Sequence, residues 1–423
     1  MISNPRGMIP QPVFARCLIL VLLLARGAAA EPVVLRHVTI VDRGTRRADA
    51  TLVVDQGKIA SIGAADAEAP RGARVVDCAG QFVIPGLWDM HVHLSFAGEP
   101  ALLDLVAAGV TGVRDMGGDV WQLDGWRREI AEGVRIGPTI VQAGPLLDGP
   151  KPGLPHRITV ASAEDGRQAV AVLKRGLHVD FVKVHNGLAR DAFFAVAAEA
   201  KKQGLPLACH LPSAVTAEEA SSGGCKSIEH IAESIVSSLY LQQPEKSRSF
   251  ERALDDLTGP AGARLFALFA RNGTWVDPTL AAFQRFADTS ETSAQERPRT
   301  AAMKRLLEGV ARMRAAGVKL LAGSDMAGSF WPTDVHDELR LLVQAGLSPA
   351  EALASATSEA AAFLGLQDET GSVVPGKAAD LVLLRGDPLA DIRNTRAIAA
   401  VVVRGRYFSS DQVRLLAVGA RSR

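Results

Sequence analysis

Two histidines one residue apart, His91 and His93, close the apolar run Val83-Ile84-Pro85-Gly86-Leu87-Trp88-Asp89-Met90-His91-Val92-His93-Leu94. On a β-strand every second side chain shares a face, so both imidazoles would leave a buried strand in the same direction and supply half of a metal site. Taken alone, the pair reads equally well as two ordinary histidines of core or surface. Further along, Lys183 lies in Phe181-Val182-Lys183-Val184-His185, His210 in Leu207-Ala208-Cys209-His210-Leu211, His230 in Ser227-Ile228-Glu229-His230-Ile231 and Asp325 in Leu320-Leu321-Ala322-Gly323-Ser324-Asp325. Each ends or interrupts a short apolar run that reads as a buried strand. Imidazole and carboxylate are good ligands for zinc-like divalent ions, and a catalytic site must also keep a position open for water.

Something must bring residues more than two hundred positions apart together. Apolar runs alternate with helical stretches, and eight predicted strands follow: Leu87 to Leu94, Thr111 to Asp115, Thr139 to Ala143, Phe181 to His185, Leu207 to His210, Ser227 to His230, Trp275 to Leu280 and Lys319 to Ser324. Helix starts are marked by Thr216 with Glu219, and by Ser348, Pro349 and Glu351, at capping-box spacing. Eight strand and helix units predict an α/β fold, a (β/α)8 TIM-type barrel over residues 85–368. A doubly wound open sheet would need a phosphate-binding glycine loop after its first strand, and none follows Leu94. In a barrel, functional side chains gather at the C-terminal ends of the strands, where all six candidates fall. The segments 31–84 and 369–423 show short alternating strands separated by turn glycines. They predict a small discontinuous β-sandwich domain built from both chain ends.

Charge is nearly balanced, with 47 Lys and Arg against 46 Asp and Glu, which gives no footprint for nucleic acid. A hydrophobic content of 48% is ample for a large core. Residues 1–30 carry Arg6 and Arg16, an apolar stretch from Cys17 to Ala25, and Ala28-Ala29-Ala30 before Glu31, the layout of a signal peptide. The apolar stretch is too short to anchor in a bilayer, so the expectation is a periplasmic or secreted protein with no membrane span after cleavage. Cys78, Cys209 and Cys225 then remain, an odd number in a pathway that permits disulfides, so at least one thiol should stay free and buried. The polar stretch Ser237 to Ala261 reads as a lid or a subunit contact, and Phe330 and Trp331 as lining for a pocket or an interface; a homo-oligomer is compatible with both.

The ordered set of HxH, lysine, histidine, histidine and late aspartate closely resembles the amidohydrolase superfamily. The run Val83 to Leu94, the stretch Ser227-Ile228-Glu229-His230 and the closing Gly371-Ser372-Val373-Val374-Pro375-Gly376-Lys377-Ala378-Ala379-Asp380-Leu381-Val382 are similar to the branch with imidazolonepropionase-like enzymes and metal-dependent Xaa-Pro dipeptidases. The likeness covers nearly all of residues 33–408. It implies that His91 and His93 bind the more buried zinc-type ion, that His210 and His230 bind a second, and that Asp325 contacts metal and the attacking water. A bound metal lowers the pKa of water to about 7. Asp325 would then take the proton and pass it to the leaving nitrogen as general base and acid. The other reading of Asp325 is a helix cap. A free ammonium is a poor neighbour for metal, so the resemblance implies that Lys183 carries CO₂ as a carbamate bridging two ions. Otherwise Lys183 is a structural or substrate-binding cation and the site holds one ion.

His185 shares a face with Lys183 and should edge the pocket, His156 lies in a loop that could cover it, and Tyr240 could polarise a substrate carbonyl; each could also be ordinary packing or solvated surface. His336 reads as supporting or structural. The expected function is exported, metal-dependent hydrolysis of an amide-type C–N bond in a small molecule, a dipeptide or an N-acyl amino acid. The alternatives are a one-metal cyclic amidohydrolase or deaminase, and an exported binding protein that has lost catalysis.

Overall fold

The computed structural model describes residues 31–150, 155–288, 293–328 and 334–421. The expected signal peptide over 1–30, residues 151–154 of the loop before His156, and Phe330 and Trp331 lie outside the described residues.

Five strands precede the barrel: β1 Val33–Asp42, β2 Thr45–Asp55, β3 Lys58–Ala64, β4 Arg74–Asp77 and β5 Phe82–Pro85. Three follow it: β15 Leu381–Leu384, β16 Ile398–Val403 and β17 Arg406–Ser409. The two ends do meet, in one sheet ordered β17-β16-β15-β5-β1-β2-β3, with β4 beside the first part of β1. Where the sequence suggested a sandwich, a single sheet wraps around its own core, which includes Leu35, Leu52, Ile59, Val83, Leu381 and Val402. Side chains alternate faces along a strand, and here that period joins the two parts of the molecule. Val83, Leu381, Leu383 and Val402 point into the core of the sheet, while their neighbours Ile84, Val382, Leu384 and Val401 point into that of the barrel.

The chain crosses from sheet to barrel in one stroke. β5 pairs antiparallel with β15, and after Gly86 the chain continues as β6 Leu87–Val92, the strand that carries the HxH pair. Only glycine fits at 86, because a Cβ there would stand 2.0 Å from Thr111 Oγ1. β7 Val110–Asp115 and β8 Thr139–Gln142 follow in parallel. The third strand bends at Gly144, whose φ is 62°, and resumes as β9 Leu146–Asp148; the short β10 Arg157–Thr159 pairs beside it. β9 pairs with β11 Val182–Val184, and then β12 Leu207–Cys209, β13 Ser227–Glu229 and β14 Trp275–Asp277 run on in parallel.

The eighth expected strand, over 319–324, forms one isolated bridge, Leu320 with Val276, instead of a regular strand, and a second bridge follows at Met326 with Val92. It still closes the ring: Val276 N donates to Lys319 O at 3.0 Å on one side, and Met90 N to Ala322 O at 3.0 Å on the other. Its irregularity has a local cause. Asp89 takes both the amide and the hydroxyl of Ser324, at 2.9 and 2.6 Å, and diverts the backbone from a ladder. β7 ends at Asp115 as expected, and the other barrel strands end one to three residues early; after β11, β12 and β13 the next residue is a histidine, His185, His210 or His230, that lies in the row at the site.

Both expected capping boxes are present, Thr216 with Glu219 and Ser348 with Glu351. Beyond β17 the chain ends in a helix, Ser410–Arg421, packed on the helix Pro100–Ala107. No helix among the described residues is long and apolar enough to cross a membrane.

Cys209 and Cys225 form a disulfide, and Cys78 is free and buried, as the odd count required. The bond spans 16 residues and ties the end of β12 to the turn before β13, the strands that lead to His210 and His230. For a loop of this length, chain entropy gives roughly 3 kcal/mol. Cys225→Ala should lose about that much stability in denaturant unfolding. Reductant should abolish the difference between variant and wild type.

Candidate active site

His91 and His93 leave β6 on one face, as alternation dictates, with ring centroids 5.4 Å apart. Opposite them Asp325 is anchored by its own backbone, its amide donating to His91 O at 2.8 Å. The Nε2 atoms of His91 and of His93 each lie 3.4 Å from the same atom, Asp325 Oδ1. Asp325 and His230 both adopt left-handed backbone, with φ of 58° and 64°. For non-glycine residues that costs of order 1–3 kcal/mol each and persists where the surroundings impose it. For His230 they do so twice, by its amide to Asp277 O at 2.9 Å and by Nδ1 with Thr279 Oγ1 at 2.9 Å.

The remaining imidazoles continue the row. Centroids are 4.7 Å apart for His91 and His230, 4.8 Å for His210 and His230, and 4.6 Å for His185 and His210. Lys183, 2% exposed, lies in the middle of β11, and its Nζ has no hydrogen-bond partner. Burial pushes its pKa down to about 8, against the pull of Glu229 and with Arg114 adding to the fall. Burial and neighbouring cationic groups also hold His91, His210 and His230 well below the usual histidine range. These rings are neutral, which is the form that offers a lone pair. For His93 burial acts in the same sense, but Asp325 and Asp115 outweigh it and raise the pKa.

Hydrogen-bond chemistry shows what the cluster lacks. His93 Nδ1 faces the carbonyl of Gly117 at 3.1 Å, and a carbonyl can only accept. The proton of a neutral His93 is therefore on Nδ1, and its Nε2 lone pair points at a carboxylate oxygen. Neither ring nitrogen of buried His91 makes a hydrogen bond. A cation between these atoms would satisfy the imidazole lone pairs and the carboxylate together. The donor set of His91, His93 and Asp325, whose ligand atoms all lie within 4.8 Å of one another, fits a divalent ion. A second close set, His91, Glu229 and Asp277, does not, because Arg114 already bridges its carboxylates at 2.7 and 3.4 Å.

Arg114 was not singled out from sequence. Its guanidinium is buried under the histidines and also donates to Met90 O at 2.6 Å and to Ser227 Oγ at 2.9 Å, tying β6, β7, β13 and β14 together. Asp89, two residues before His91, takes the His91 amide at 3.2 Å, and Asp115 takes the Leu94 amide at 2.7 Å. Charged residues inside otherwise apolar barrel strands were the available signal, since buried charge persists only when paired. Partners so distant in sequence could not be read in advance.

The three substrate candidates also lie around this site. His185 Nδ1 meets Asp148 at 3.1 Å, which fixes its ring beside His210. His156 stacks edge-on against Phe96 at 5.8 Å, and Phe96 against His93 at the same spacing. Tyr240 lines a cavity of about 430 Å³ together with His210. His336 is satisfied at both nitrogens, by Thr395 and by Ala108 O, and is structural.

The profile of the Amidohydrolase family matches residues 82–407. The chain belongs to this family. It is thus a hydrolase acting on carbon–nitrogen bonds, in a family that depends on metal. It is 29% identical over 401 residues to the imidazolonepropionase of Cupriavidus pinatubonensis, across 86% of this chain and 89% of that one. The ochratoxinase of Aspergillus niger is 25% identical over 392 residues, with 77% and 75% covered. Among solved structures, a bottromycin amidohydrolase superposes with a TM-score of 0.72 at 25% identity, over 97% of this chain and 94% of that one. A Xaa-Pro dipeptidase, at a TM-score of 0.70 and 21% identity over 90% and 100%, shares the fold.

Breaking the buried ion pairs tests how this amidohydrolase supports its centre. Arg114→Ala strands Glu229 and Asp277 without a cation, which should cost about 3–5 kcal/mol in denaturant unfolding. It should also lower the divalent-metal content of the purified protein.

Proposed function

We propose that this amidohydrolase is an exported enzyme that hydrolyses the amide-type C–N bond of a small substrate, a dipeptide or an N-acyl amino acid, with zinc as the divalent ion. The observation that carries this reading is the convergence of His91 Nε2 and His93 Nε2 on one oxygen of Asp325, each at 3.4 Å, in a donor set that fits a divalent ion. His91, His93 and Asp325 would hold one ion, and His210 and His230 a second. When bound, the ions supply Lewis acidity toward a carbonyl and toward water.

Everything else is done by the chain. Asp325 takes the proton of the attacking water and returns it to the leaving nitrogen, so the carboxylate ends the cycle as it began. Thr279 and Gly117 hold the rings of His230 and His93 in register, as partners behind metal ligands do. Tyr240, in the adjoining cavity, can donate its hydroxyl to the substrate carbonyl oxygen. Lys183 fits a carbamate: its buried Nζ is unpartnered in a row of imidazoles. The ammonium gives up one proton and the neutral amine then adds to CO₂ with release of a second, which replaces a cation by an anion. Export is supported by the Cys209–Cys225 disulfide, a bond that persists in oxidising compartments.

The test is turnover of a panel of dipeptides and N-acyl amino acids by zinc-loaded protein. Asp325→Asn should lower kcat by roughly 10² to 10⁴. A chelator should abolish activity and zinc restore it, and intact-mass analysis under CO₂ should show a labile adduct that Lys183→Ala lacks. A zinc-replete protein that turns over no member of the panel would contradict the substrate class. One ion and an unmodified lysine would point to the mononuclear alternative.

A further inference from the structure

The cavity beside His210 holds one charged group that the chemistry above does not use. Glu233 sits on the helical turn Ile231–Val236 that starts directly after His230, and it lines the cavity with Asn186, His210, Ser213, Ser237 and Tyr240. No lysine or arginine lines this cavity, and His210 is held neutral by burial. The nearby guanidinium of Arg248, 5.9 Å from the Tyr240 ring centre, is spent on the carbonyls of Gln243 and Leu241.

The Glu233 carboxylate is open to solvent, so it is not locked into the core. It still feels its walls, for crowding raises its pKa, and Asp325 raises it further from the neighbouring site. No side chain among the described residues is seen to donate to it. An anion placed this way, in a concave wall next to the reacting centre, is matched by a cation on whatever fills the cavity. The plainer role, an acid in the first turn of a helix, needs no cavity around it.

We propose that Glu233 seats a protonated amine of the substrate, so that this enzyme prefers molecules with a free ammonium next to the scissile carbonyl over their N-acylated counterparts. The proposal rests on the hydrolase reading above and narrows it, since an aminoacyl compound carries that ammonium and an N-acyl amino acid does not. The hydroxyls of Ser237 and Tyr240 and the amide of Asn186 add neutral acceptors for the remaining N–H bonds.

Matched probes decide it: alanyl-proline with N-acetyl-alanyl-proline, and leucyl-phenylalanine with N-acetyl-leucyl-phenylalanine, on the full zinc-loaded chain. A charge-assisted hydrogen bond predicts a preference of roughly tenfold to a hundredfold in kcat/KM for the free amines. Glu233→Gln should collapse that ratio to within about threefold, and Glu233→Asp should keep most of it. Calorimetric binding of the same pairs should show the same preference and needs no turnover. If no probe is hydrolysed but the binding preference follows Glu233, the hydrolase reading fails and the amine seat stands. Equal or reversed preference in the wild type, a ratio unchanged in Glu233→Gln, or no binding of the free amines at millimolar concentration would overturn the proposal.

Discussion

The arrangement depends on one meeting of side chains. The Nε2 atoms of His91 and His93 converge on a single carboxylate oxygen of Asp325, each at 3.4 Å, with His91 buried and the other two partly exposed. The Gly117 carbonyl holds a His93 proton on the far side of the ring. A divalent cation between the two Nε2 atoms and the carboxylate would complete such a set of donors. Neutral His91, His210 and His230, each with a lone pair to offer, and the unpartnered Nζ of Lys183 belong to the same row, arranged for ions.

The rest of the barrel supports this arrangement. Arg114, inside the ring of strands, neutralises Glu229 and Asp277, so the acidic groups beneath the histidines are already matched. Asp89 diverts the backbone at Ser324, which leaves the eighth segment irregular and turns Asp325 into the pocket. The end sheet contributes at one remove, because β5 runs straight into the strand that carries His91 and His93 and is clamped by β15 from the other end of the chain.

The candidate site residues were legible one by one. His91, His93, Lys183, His210, His230 and Asp325 each interrupt an apolar run, and interruptions by ionisable groups stand out in a strand with two buried faces. Barrel order followed from the same runs, and the meeting of the two ends from their shared turn-rich texture. The supporting residues were not legible as partners. Arg114 and Glu229 lie 115 residues apart, and only the closed ring makes them neighbours. The bent third strand at Gly144 and the irregular eighth segment escaped for a related reason, since hydrogen bonds from Asp89 and across the ring override local propensity. Glu233 looks like any acid in a first helical turn until the cavity is drawn around it.

The central claim is that the lone pairs of His91 and His93 and the carboxylate of Asp325 surround a metal ion. Anomalous diffraction at the zinc absorption edge, from crystals of the protein grown with zinc, tests it most directly. The account predicts an anomalous peak bonded to both Nε2 atoms and to Asp325. A refined structure with no peak there, and with His93 instead protonated on both nitrogens and hydrogen-bonded straight to Asp325, would contradict it.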